Sequence, residues 1–485
     1  MKKFRILTLA SLAFAAATAA SSQEAFVAGT WTKVVAAPPS AVAHMLLLTD
    51  GSVLVNSNFN TGPDPWYRLV PNNKGSYVNG TWTSAGTLPS GYNPVYFASA
   101  VLPGGNVIVM GGEYNNNVAT ETTLGAMYHW KTNQWTHVPA PSNWTTVGDA
   151  DSVVLPNGKF LLANCCDATE ALLTSTSPIT WTATGAGKAD ANSEEGMVLM
   201  PNGKVMSVDV VNGANPSTYE IYNPATGTWT SEGTLPLQLQ NASQAEIGPM
   251  VLRPDGTVFA GGGRPVNAVY NTTTGIWNTA PSFGGGLDMA DAPAALLPDG
   301  NVLLDTSPGV YNFGVKFFEW DGSAMHAVPG LPDAASTSSY YGNMVCLPTG
   351  QVIFTDFSAN VYIYTPSGTY KTAWQPKITS VGATLTHGTV NNSIKGTQFN
   401  GLSQCAAYGD DNQAASNFPL VRITNNSTGH VFYARTHTFS TMGVATGATV
   451  VSAQFDVPSG IEIGASTLVV VANGIPSPAV NVTIN

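Results

Sequence analysis

Seven times along the chain an apolar strand runs into a tight turn ending in glycine and out into another apolar strand. The turns fall at Asp50-Gly51, Gly104-Gly105, Asn157-Gly158, Asn202-Gly203, Asp255-Gly256, Asp299-Gly300 and Thr349-Gly350, 44 to 54 residues apart. One hairpin per unit of about 50 residues is the period of an all-β ring in which each unit is a small four-stranded sheet, a β-propeller. Such a ring brings the starts of its innermost strands around one axis. Residues just ahead of each hairpin are then expected to meet in space although they are far apart in sequence.

A second signal keeps step with the first. Trp31, Trp82, Trp135, Trp181, Trp229 and Trp277 recur every 46 to 53 residues in segments such as Gly80-Thr81-Trp82-Thr83. Each would occupy the last strand of a unit, with its ring packed between neighbouring sheets. Trp31 precedes the first hairpin, and the last hairpin lacks a clear Gly-Thr-Trp strand, Trp374 being the rival for that place. The expected closure therefore lends the N-terminal strand to the last unit, giving seven blades over 27–375 and no open sheet edges.

From about Pro376 the long period stops. Shorter strands follow at closer spacing, among them Pro419–Thr424, His430–Arg435, Thr449–Val457 and Thr467–Ala472. This rhythm over 376–485 predicts a β-sandwich of immunoglobulin-like kind. The short apolar junction Trp374-Gln375-Pro376-Lys377-Ile378 predicts that the sandwich docks on the ring.

Only 10% of the 485 residues are charged, while glycine numbers 49 and proline 32, a composition for turn-rich β structure rather than helices. Residues 1–22 read as a secretory signal, with Lys2, Lys3 and Arg5 ahead of the apolar run Ile6 to Ala17. A secreted or extracytoplasmic protein is expected. With a net charge of −11 it is unsuited to nucleic acid or an anionic bilayer, and no later stretch is apolar enough for membrane insertion. Of the four cysteines, Cys346 lies in an inner-strand pattern and reads as a small buried hydrophobe. The adjacent Cys165 and Cys166 are either a vicinal disulfide or two packed thiols. No spacing suggests zinc.

The hairpin unit Ala100-Val101-Leu102-Pro103-Gly104-Gly105-Asn106-Val107, running on to Gly111-Gly112, resembles a kelch repeat. Near the end, Thr436-His437-Thr438, Gln454-Phe455-Asp456-Val457-Pro458 and the run from Leu468 to Ser477 are similar to the C-terminal domain of the galactose oxidase and glyoxal oxidase group. The resemblance implies a seven-bladed kelch propeller followed by an immunoglobulin-like domain. It also implies a single copper held by two tyrosines and two histidines, one tyrosine being cross-linked to a cysteine. Carried over residue by residue, it assigns Tyr96, Tyr340 and His437. The cross-linking cysteine is replaced by His44, and the histidine after the axial tyrosine by Tyr341. Copper is thus a possible cofactor with His44, Tyr96, Tyr340 and His437 as its ligands, and Tyr340 would be the proton acceptor of an alcohol or aldehyde oxidase.

Aligning the units on their turns gives an independent reading. Seven positions ahead of the residue preceding each turn stand Val42, Tyr96, Asp149, Glu194, Ile247, Asp291 and Tyr341. Close by are His44, Asp151, Glu195, Glu246, Asp288 and Tyr340. Convergence of these groups at one mouth predicts a polar axial pocket, with His44, Tyr96, Asp149, Asp151, Glu194, Asp291, Tyr340, Tyr341 and His437 as ligand-binding candidates. The leading expectation is an exported protein that binds a polar ligand such as an extracellular carbohydrate. The alternatives are the copper oxidase and a structural or adhesive surface protein. Asp410-Asp411 could bind a cation or, the preferred reading, form a polar loop capping a turn.

Overall fold

A computed structural model describes residues 26–57 and 64–485. The expected signal segment lies outside the described residues. The described residues are all-β apart from three short 3-10 turns, and no described helix is long and apolar enough to cross a membrane. Six four-stranded sheets and one five-stranded sheet follow the repeat along the chain. The first is built from Val42–Leu47, Val53–Ser57, Pro65–Val70 and Thr81–Thr87 in sequence order.

The hairpin turns behave as their residues require. Gly51, Gly158, Gly203 and Gly256 adopt φ between 76° and 82°, the left-handed region that glycine enters without a Cβ penalty. The preceding Asp or Asn accepts the amide two residues on, as in Asp50 Oδ1 from Ser52 N and Asn157 Oδ1 from Lys159 N, each at 3.0 Å.

Innermost strands such as Val42–Leu47 and Ala98–Val101 are buried throughout. They neighbour one another in chain order, and Asn343–Cys346 returns beside Val42–Leu47, so the propeller-like ring closes on itself. The last sheet takes its outer strand from the N-terminus, where Thr30–Lys33 pairs antiparallel with Tyr362–Thr365 and Trp31 opposes Tyr364. The recurrent tryptophans tie each sheet to the one before. Trp82 Nε1 donates to Ala36 O at 2.8 Å, Trp135 to Ala85 O at 3.0 Å and Trp181 to Pro139 O at 2.8 Å. Trp31 completes the circuit by donating to Pro329 O at 2.9 Å. These four indoles thus pack between sheets and satisfy their single donor there, whereas Trp277 contacts Tyr219 of the preceding sheet edge-on and its Nε1 meets no carbonyl acceptor.

Residues 377–484 form a separate β unit around its own core of Phe399, Val421, Ile423, Phe455, Leu468 and Val470. It docks on the hairpin side of the ring. Thr436 N donates to Thr49 O at 3.1 Å, Thr438 N to Pro103 O at 2.8 Å and Met442 N to Pro156 O at 3.0 Å, each acceptor lying within two residues of a turn.

One segment of this unit leaves it and enters the ring. Ala406–Ala407 pairs with Ala294–Ala295 on an innermost strand. Gln404 Oε1 accepts from Leu199 N at 2.7 Å, and Asn412 N donates to Phe97 O at 3.2 Å. Cys405 is disulfide-bonded to Cys346 of the last sheet. The reading of Cys346 as an unpaired hydrophobe is corrected here, because the partner sits in a loop whose course only the fold reveals. Cys165 and Cys166 are bonded to each other.

Candidate functional site

At the end of the ring opposite the docked unit lies a cavity of about 410 Å³. Carboxylates of Glu113, Asp149, Glu194, Glu246, Asp291, Asp410 and Asp411 line it together with Tyr96, Tyr114, Tyr311, Tyr340 and Tyr408, and among the described residues no lysine, arginine or histidine does. The acids come from successive repeat units and from the threaded segment.

Local backbone geometry aims them inward. Tyr96, Glu194 and Asp291 occupy the same point of their repeats and adopt φ of 55°, 58° and 47°. A non-glycine residue in this region is uncommon and costs of order 1 kcal/mol or more, so the surrounding fold must enforce it. In the fifth unit the register slips. Ile247 at the aligned position is 2% exposed and belongs to the core, and its neighbour Glu246 supplies the carboxylate, preceded by Ala245 at φ 61°.

The threaded segment provides Tyr408, Asp410 and Asp411. Its close fit shows at Gly196, where an added Cβ would stand 2.4 Å from the Gly409 carbonyl oxygen. The Tyr408 hydroxyl donates to Tyr340 O at 2.7 Å. Asp411 is 1% exposed, yet neither of its carboxylate oxygens has a hydrogen-bond partner, and Asp410 Oδ2, Glu246 Oε2 and the Tyr96 hydroxyl are likewise unpartnered.

Crowding of acids governs the electrostatics. Glu194 belongs to two triads, one with Asp149 and Asp410 and one with Glu246 and Asp291, and within each the oxygens lie within 4.8 Å of one another. Two carboxylate charges at that separation repel by roughly 3 kcal/mol at an effective dielectric constant of 20. Burial first, and then the neighbouring acids, raise Glu194, Asp291, Asp410 and Asp411 well above the ordinary carboxylate range. Burial likewise pushes Asp149 up to about 6 and Glu113 to about 7. Part of the pocket's acids are therefore held protonated near neutrality.

Of the candidates named from sequence, Tyr96, Asp149, Glu194, Asp291 and Tyr340 come together here. Tyr341 packs against Tyr340 with ring centroids 4.0 Å apart but lines a neighbouring cavity with Phe357 and Asp333. Asp151 is buried beneath the site, accepting from Ser152 N at 2.5 Å. His44 is buried between inner strands, its Nδ1 donating to Asn343 Oδ1 at 2.9 Å and its Nε2 lying 2.7 Å from Ser99 Oγ. His437 lies in the docked unit with Nε2 3.1 Å from Asp456 Oδ1. Asp410 and Asp411, read from sequence as a turn cap or else a cation-binding pair, face the cavity. The sequence offers one hint of this, a lone cysteine five residues ahead of the acid pair.

No family model matches the chain, and no curated protein matches it in sequence. Among solved structures it is similar to a fungal alcohol oxidase of the AA5 family in complex with copper, at a TM-score of 0.53 and 14% identity over 95% of this chain and 100% of that one. It is also similar to a streptogramin B lyase, at a TM-score of 0.49 and 11% identity over 70% of this chain and 98% of that one. A third similar structure is an extracellular domain assigned to a one-component system of B. thetaiotaomicron, at 0.46 and 11% over 92% and 56%. The protein is thus all-β and propeller-like, with a galactose-oxidase-like enzyme among its structural neighbours; at these identities the likeness concerns the fold alone.

Copper chemistry of that neighbour's kind does not fit the residues present. The cavity offers only carboxylate and phenol oxygens, with no imidazole and no thiol to cross-link. Of the four candidate copper ligands, His44 and His437 lie outside the cavity and engage other partners. Hard oxygen donors of this kind suit calcium, magnesium or manganese in place of copper.

Proposed function

We propose that this is an exported, seven-bladed kelch-type propeller with an immunoglobulin-like C-terminal domain, and that its axial pocket binds a polar, hydroxyl-rich ligand of the carbohydrate class. The observation that carries this reading is the set of unpartnered buried oxygens on Asp411, Asp410, Glu246 and Tyr96 facing one cavity. A buried acceptor without a partner costs about 1–3 kcal/mol, and a ligand that donates hydroxyls removes that cost. The tyrosine rings around the mouth supply apolar faces against which a sugar ring can pack.

Glycan-array screening of the secreted protein tests the proposal. Binding of a defined glycan is expected, with affinity reduced about tenfold or more in Tyr96→Phe and in Asp411→Asn, by the loss of one hydrogen bond each. Binding at wild-type strength in both variants, or none by the wild type, would overturn it. The oxidase alternative lacks its donor set, and no observation favours a purely adhesive role.

A further inference from the structure

We propose that the axial pocket is a hard divalent-cation site of the calcium class, in which Glu194 is the shared ligand of a position formed with Glu246 and Asp291 and a second formed with Asp149 and Asp410. This rests on the reading of the cavity as the ligand site and deepens it: the bound cation would present its open coordination positions to paired hydroxyls of the ligand.

Three observations converge. The first is spacing. Calcium–oxygen bonds of about 2.3–2.6 Å place two ligating oxygens at most about 5 Å apart. Within each triad the oxygens already lie inside 4.8 Å of one another. Such acids need little movement to close on an ion.

The second is unmet bonding capacity. Glu246 and Asp410 are 2% and 3% exposed, and each keeps one oxygen without a partner, Glu246 Oε2 and Asp410 Oδ2. The other Glu246 oxygen accepts from the Tyr311 hydroxyl, which orients the group and leaves the free oxygen for the cavity. Behind them Asp411 is 1% exposed with both oxygens unpartnered. Buried ionised carboxylates are found paired with cations or bound to metals, and among the described residues no protein cation lines the cavity.

The third is chemical type. Every donor is an oxygen, which selects hard cations that take carboxylate, carbonyl and water ligands.

Calorimetric titration of the full secreted protein, stripped with EDTA, with calcium chloride and separately with manganese chloride tests the assignment. Thermal unfolding is followed in parallel. Saturable binding of at least one ion is expected, with a rise in unfolding temperature that grows with ion concentration. Glu194→Gln should weaken binding about a hundredfold, since it takes a ligand from both positions. The same variant should unfold at or above the temperature of the stripped wild type, which shows that it folds. Absence of binding and stabilisation by both ions at millimolar concentration would overturn the proposal, as would equal affinity in Glu194→Gln. Glycan binding that persists in EDTA without any ion uptake sinks this inference and leaves the pocket reading standing. Ion uptake without glycan binding does the reverse.

Discussion

Removing the Cys346–Cys405 disulfide probes how the pocket is assembled. The bond closes a span of 59 residues, for which the loss of loop-closure entropy in the unfolded chain gives a stabilisation of about 4 kcal/mol. Both residues are buried, at 4% and 1% exposure, so Cys346→Ala with Cys405→Ala adds only a small packing loss. The bond also anchors the segment carrying Tyr408, Asp410 and Asp411, whose other ties are the short pairing of Ala406–Ala407 with Ala294–Ala295 and a few single hydrogen bonds. The double variant should therefore lose about 4 kcal/mol in guanidinium unfolding. Its affinity for cation and glycan should fall as well, because two of the seven acids lose their fixed positions. Substitution serves better than reduction, since a reductant would also open Cys165–Cys166. An unchanged unfolding midpoint together with unchanged binding would show that packing alone holds the segment, and would refute the reasoning.

The fit of the same segment gives a second expectation. Gly196→Ala places a Cβ 2.4 Å from the Gly409 carbonyl, so it should cost about 1–3 kcal/mol in equilibrium unfolding and weaken ligand binding by displacing Asp410 and Asp411. A third concerns pH. Burial lowers the folded-state pKa of His44 from 6.5 to about 4, so the unfolded chain takes up the proton first as the solution is acidified. Stability contributed by neutral His44 is then whole above pH 6.5 and lost as pH falls towards about 4, by roughly 3 kcal/mol in all. Buried carboxyls such as Glu195, raised to about 8, change stability in the opposite sense. The test is accordingly the difference between wild type and His44→Gln in unfolding free energy across pH 4–7. Parallel profiles would contradict it.

Much of the molecule is legible in the amino-acid sequence because its units repeat. The turn from Asp50 to Gly51 and its counterparts encode a local conformation that needs only φ above zero at glycine, helped in most of them by a side-chain acceptor before it. The tryptophans announce an interface that recurs at most junctions between neighbouring sheets. Alignment on the turns was enough to bring Tyr96, Asp149, Glu194 and Asp291 to one place, since equivalent positions of a closed ring share one axis. The same alignment could not see the slip that exchanges Ile247 for Glu246, because a shift of one residue reverses the face a side chain presents.

What lay beyond the sequence was the non-repeating part. That Cys405 finds Cys346, and that Asp410 and Asp411 rise into the ring instead of capping a surface turn, depends on where the C-terminal unit docks. That docking joins donors of the C-terminal unit such as Thr438 N to carbonyls beside the turns such as Pro103 O; the acceptors recur with the repeat, but the donors that meet them follow no period. His44 and His437, alike as imidazoles in the chain, are parted by the same fact, one sealed between inner strands and the other held by Asp456 outside the ring. Local rules set the sheets and their pseudo-symmetry. Only long-range packing decided which oxygens face the axis, and with them the chemistry the cavity can perform.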